Sequence, residues 1–138
     1  MENEETTVLK IDLASPTPAY RQIVDGLRAL LVHGAFSPGD RLPTVRQLAI
    51  DLAVHHNTVA QAYRVLAEEG WLDLRRHNGA TVIQRNSQPA SAASHQNFSQ
   101  RLRELTAQAV ADGLDAKAIV QQLDSLSKEL NRQPEKET

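Results

Sequence analysis

From Tyr20 onward the apolar positions of the chain fall on one side of a helix. Tyr20, Ile23, Val24, Leu27, Leu30 and Leu31 recur at the alternating three- and four-residue steps of an α-helical face. Thr17 is positioned to cap this helix, Pro18 to fill its first position and Gly34 to end it. "FSPGDRLP" then reads as a Pro-Gly turn, and Thr44 with Gln47 has the spacing of a capping box for a second helix. Val45, Leu48, Ala49 and Leu52 form its buried stripe. After the short break at "AVHH", Val59, Ala62, Tyr63 and Leu66 face inward on a third helix that Gly70 stops. Two short helices joined this tightly predict a helix-turn-helix.

The period changes after Gly70. "WLDLRRHNGATVIQ" reads as two short strands around Asn78-Gly79, a pair suited to a type I′ hairpin turn. Three helices followed by a hairpin predict a winged helix-turn-helix, and the alternating "VLKIDL" at 8–13 predicts one further strand. Residues 85–97, "RNSQPASAASHQN", are small and polar and read as a linker. Beyond them Phe98, Leu102, Leu105 and Ala109 make one stripe, Asp112-Gly113 breaks it, and Asp115 can cap a last helix carrying Ile119, Leu123, Leu126 and Leu130. Two isolated helices of this length cannot bury both stripes, so the expected partner is a second copy of the chain. The predicted class is α+β, mainly α: a strand and winged helix-turn-helix over 1–84, a linker over 85–97, a two-helix dimerisation segment over 98–131, and a disordered tail over 132–138.

Composition narrows the function. The chain has 138 residues and no cysteine, which excludes disulfides, thiolate zinc sites and thiol catalysis and leaves little room for a large substrate cavity. Its start is acidic, and no apolar run approaches the roughly 20 residues that span a bilayer, so the expectation is a cytoplasmic protein with no membrane association. The net charge of −2 hides an uneven distribution. Between residues 17 and 85 every Lys/Arg position is arginine, whose planar fork suits phosphates and base edges.

The histidines raise the question of chemistry. His33, His55, His56, His77 and His95 occur in no His-x-x-x-His or His-Glu-x-x-His spacing, and two adjacent helical histidines diverge by about 100°. Catalysis and a bound cofactor or metal are therefore not expected. A metal- or pH-responsive regulator would need histidines from two subunits, or protonation of His55 and His56 against a phosphate. A winged helix that binds protein would show apolar residues on the outer face of its third helix, and here that face is polar and basic.

The run from Pro18 to Val82, with "PGDRLP", "RQLA" and "NTV" ahead of "EEGW", resembles the DNA-binding domain of the GntR family of bacterial transcription regulators. The short tail resembles the small YtrA-type subfamily. The resemblance implies a homodimer on a double-stranded DNA operator, more simply repressing than activating, with any small-molecule effector unspecified. It implies DNA contacts from Thr44 and Arg46 at the second helix, and from His55, His56, Asn57, Thr58, Gln61 and Arg64 on the third. Family members usually carry Ser-Arg where this chain has His55-His56, and a glycine where it has His77. Arg75, Arg76 and His77 would concentrate positive charge on the wing. Phe98, Leu102, Leu105, Ile119, Leu123, Leu126 and Leu130 would form the dimer seam.

Overall fold

The stripes that precede Gly70 are all turned inward. The computed structural model describes residues 9–75, 79–86 and 88–132. Helix α1 spans Ala19–Val32, α2 Val45–Leu52 and α3 His56–Glu68, and both α1 and α2 pack against α3. Ile23, Val24, Val59 and Leu66 have no exposed surface, and Tyr63 is buried beside them with its hydroxyl donating to the Pro43 carbonyl at 2.7 Å. That bond ties the centre of α3 to the chain just before α2. Burial pushes the Tyr63 phenol above its ordinary value.

Several local expectations are corrected. Pro18, not Thr17, is the residue before α1, and it offers no side-chain cap. Thr17 lies one place further out, where its carbonyl accepts from Gln22 Nε2 at 2.9 Å. The same side chain explains why no strand forms among residues 9–13. Gln22 Oε1 accepts from the Asp12 N–H at 2.8 Å and Gln22 Nε2 donates to the Asp12 carbonyl at 2.9 Å, so an amide supplies what a ladder would have. The alternation reflects packing instead: Leu9 is buried, with Cδ1 only 2.0 Å from where a Cβ on Gly26 would stand. The capping box of α2 is half made. Thr44 Oγ1 accepts from the Gln47 N–H at 3.1 Å, but the Gln47 side chain donates to Asp51 at 2.9 Å rather than turning back.

Strands β1 (Leu72–Asp73) and β2 (Thr81–Val82) are antiparallel, with Leu72 opposite Val82 and Asp73 opposite Thr81. The tight turn expected at Asn78-Gly79 falls in part outside the described residues, as do Arg76 and His77. The hairpin also gains an edge that the sequence did not announce. Arg41 bridges Thr81, Leu42 donates to the Ala80 carbonyl at 2.9 Å and Val82 to the Asp40 carbonyl at 2.8 Å. Pro38 and Pro43 frame that segment and disguise it as a turn.

A polar joint closes the back of this unit. Glu69, the last residue of the α3 cap, accepts from Arg28 Nε at 3.0 Å, from Arg28 Nη2 at 2.5 Å and from Trp71 Nε1 at 3.1 Å. Arg85 lies over the Trp71 ring at 4.8 Å and donates to the Glu69 carbonyl at 2.8 Å. The Arg28 hydrogen bond holds the Glu69 carboxyl below its ordinary range, and Glu69 in turn raises Arg28.

The chain divides into two compact units, residues 1–86 and 87–138. In the second, α4 spans Ala92–Ala111 and α5 Ala116–Asn131. The linker expected over 85–97 is thus cut short: Ser91 Oγ accepts from the Ser94 N–H at 3.0 Å, and the alanines behind it are good helix formers despite their small, polar company. Asp115 caps α5 through the Ala118 N–H at 2.8 Å, as expected. Arg132 caps its end, and residues 133–138 of the expected tail lie outside the described residues.

Candidate nucleic-acid interface

The face of α3 opposite its buried stripe carries Asn57, Gln61, Arg64 and Glu68, all exposed. The helix period puts these four in one ridge. Among the described residues none of the first three has a side-chain partner in the protein, so their donors and acceptors face solvent. Thr58 is the exception to the expected set: it is half-buried on the flank of the ridge. Glu68 is a carboxylate one turn beyond Arg64, and its charge disfavours phosphate there. The polar ridge that can meet DNA is therefore the first three turns of α3.

His55 is the cap of α3, not its first helical residue. Its backbone is extended and its Nδ1 accepts from the Asn57 N–H at 3.0 Å. Accepting at Nδ1 leaves the ring proton on Nε2, aimed away from the bond as a donor. The expected divergence of the two histidines fails for the same reason: with His55 outside the helix, its ring stacks on that of His56 with centroids 4.4 Å apart. Among the described residues no group of three or more His, Asp or Glu is arranged to hold a metal ion.

At α2, Thr44 Oγ1 is occupied as an acceptor by its cap bond, which leaves the hydroxyl hydrogen to donate outward. Arg46 is exposed with no ion-pair partner among the described residues. It lines an open cleft of about 430 Å³ with Ile50, Ala53, Val54, His55 and His56. Ile50, 74% exposed on the same side of α2, is an apolar element of this surface that the periodicity left unassigned. Arg41, exposed on the edge of the hairpin, is a cation whose sequence neighbours marked only a turn.

Of the three cations expected on the wing, only Arg75 is among the described residues. Arg75 is turned back onto Asp73, Nε to Oδ1 at 3.0 Å and Nη2 to Oδ2 at 3.1 Å, a bidentate pair that raises the guanidinium and partly cancels its field. Arg76 and His77 lie outside the described residues. Gly79 is described, with φ +132°, and a side chain there would press toward Thr44 Cα at 3.5 Å and the Leu42 carbonyl at 3.6 Å. The hairpin thus rests directly on the start of α2. Among the described residues no helix is long and apolar enough to cross a membrane.

The pattern of the bacterial regulatory proteins of the gntR family matches residues 19–82, the segment that holds α1, α2, α3 and both strands. The HTH-type transcriptional repressor YtrA of Bacillus subtilis is 40% identical over 80 residues, 58% of this chain and 61% of that protein, so the match spans less than two thirds of the relative. The HTH-type transcriptional regulator Rv1152 of Mycobacterium tuberculosis is 38% identical over 90 residues, 62% of this chain and 71% of that protein. YtrA from Sulfolobus acidocaldarius, a solved GntR-family transcription factor, has a TM-score of 0.51 at 34% identity, covering 88% of this chain and 98% of that one. The chain therefore belongs to the gntR family of bacterial regulatory proteins, with α1 to β2 as its winged helix-turn-helix.

Proposed function

We propose that this chain is a cytoplasmic transcription regulator that binds a duplex operator sequence-specifically as a homodimer, and that it represses. The observation that carries the reading is the unpartnered ridge of α3. Asn57 and Gln61 present amides that can bond adenine bidentately in the major groove. Thr44, Arg46 and the Nε2–H of His55 surround that ridge with donors for backbone phosphates. The two tail helices support dimerisation, because Phe98, Leu105, Leu123, Leu126 and Leu130 remain exposed while Leu102 and Ile119 are only half-buried. A two-fold dimer would read an inverted repeat with half-sites about 34–36 Å apart. Repression is supported by the name of the Bacillus subtilis relative, a transcriptional repressor, and by the ease with which a small dimer excludes polymerase from an occupied site.

Selection of genomic DNA fragments by the purified full chain tests this directly. The expected result is enrichment of fragments that share one inverted repeat, bound with a stoichiometry of two chains per site in sedimentation. Recovery of no common sequence defeats the reading.

A further inference from the structure

A second cleft lies on the other flank of the α3 ridge, between α3, the start of α2 and the hairpin. Its volume is about 200 Å³, and its lining is Val45, Ala60, Tyr63, Arg64, Leu74 and Gly79. We infer that this cleft seats a DNA phosphodiester, with Arg64 as its cation, so that Arg64 holds the backbone while Asn57 and Gln61 read bases. The inference rests on the DNA-binding reading above.

Three observations carry it. Among the described residues Arg64 is the sole charged side chain in the lining, and it has no ion-pair partner there. Val45, the first residue of α2, is part of the lining, so the positive end of that helix lies beside the cleft. Val45, Ala60 and Leu74 make the remaining wall largely apolar, which suits the deoxyribose that flanks a phosphate. Among the described residues, Glu68 stands one turn along α3, and Asp73 and Arg75 on the hairpin are paired with each other. Gly79 completes the shape: with no side chain it leaves the mouth open where the hairpin crosses Thr44.

A phosphate accepts a point charge as readily as a fork, whereas guanine O6 and N7 call for the fork. Three full-length proteins, wild type, Arg64→Ala and Arg64→Lys, distinguish the two. Each is titrated with a duplex recovered by genomic selection and with a scrambled duplex of equal length, across a potassium chloride series. Arg64→Ala is expected to weaken both duplexes by about tenfold and to reduce the salt slope by about one unit, with their affinity ratio unchanged. Arg64→Lys is expected to restore both to within about threefold of wild type. A fall in the ratio of selected to scrambled affinity that lysine does not repair, with the slope unaltered, would overturn the phosphate assignment in favour of base reading. Wild type that binds neither duplex with salt dependence defeats the DNA-binding reading itself, a separate outcome from failure of the Arg64 assignment.

Discussion

The two units of the chain use the same amphipathic code and end in opposite states. In the first unit each stripe reaches a core around Ile23, Val24, Val59 and Leu66, with Tyr20, Leu30, Val45 and Leu52 half-buried against it. In α4 and α5 no residue is buried, and Phe98 and Leu105 are about two thirds exposed. Periodicity therefore specifies that a face is apolar, but not what covers it. Three helices and a hairpin can cross and enclose a core within one chain. Two helices can touch along one edge only, and the rest of their apolar surface waits for a partner.

The largest test of that contrast is removal of the second unit. A chain ending at Asn86 is expected to melt cooperatively, because its core is its own, yet to run as a monomer in light scattering. Its operator affinity should drop on the order of 10²-fold or more, since two half-sites no longer bind as one. A truncated chain that stays dimeric, or binds like the full chain, would move the interface out of α4 and α5.

Single truncations sharpen the same contrast. Leu66→Ala opens a cavity in a site with no exposed surface and should cost about 2–5 kcal/mol in urea unfolding at any protein concentration. Leu126→Ala, at an exposed position, should leave unfolding of the first unit unchanged and act on dimer dissociation instead. If both variants shift the first transition equally, the two units do not store stability separately.

What the sequence made legible follows from which forces are local. Helix stripes and caps depend on neighbours within a turn, so α1, α2, α3 and the Asp115 cap could all be read directly. Non-local partners could not. The hairpin register, the Arg41 edge and the Gln22 amide that replaces a strand at Asp12 each depend on residues that meet only after folding. At the interface, the ridge of Asn57, Gln61 and Arg64 was visible as the complement of the buried stripe. The pairing of Arg75 with Asp73 was hidden, because residue type alone does not tell a free donor from an occupied one. The "EEGW" motif shows the reverse case. Its glutamate and tryptophan form the joint with Arg28 and Arg85, at the far end of α3 from its capped start.

That joint gives the first unit a pH dependence of its own. Glu69 has a folded value below its ordinary 4.5, chiefly through the Arg28 hydrogen bond. Its stabilising contribution is thus complete above about 4.5 and is lost as pH falls through the lower folded value. Urea midpoints measured from pH 7 down to pH 3 should fall less in Glu69→Gln than in wild type, with the two converging in acid. Parallel curves would show that the pair contributes nothing measurable, the common result for ion pairs with this much exposure.

The smallest expected effect compares the turns that join helices in the two units. After α4, Gly113 donates to the Val110 carbonyl at 3.0 Å and Leu114 to the Ala109 carbonyl at 3.0 Å, with Gly113 at φ +105°. After α2, Ala53 donates to Ile50 at 3.2 Å and Val54 to Ala49 at 3.0 Å, the same pair of bonds, with Ala53 at φ +58° and ψ +46°. Both are left-handed helix endings that favour glycine, yet the turn of the helix-turn-helix has an alanine. A Cβ in this region costs roughly 1 kcal/mol. Ala53→Gly is therefore expected to raise stability by up to about 1 kcal/mol, and Gly113→Ala to lower tail helicity by a similar free energy. Thermal unfolding of the first variant and the protein-concentration dependence of helical circular dichroism in the second measure the two effects. Equal stability of wild type and Ala53→Gly would mean that the entropy glycine adds to the unfolded chain offsets the relief of strain, and that the alanine holds this turn at no net cost.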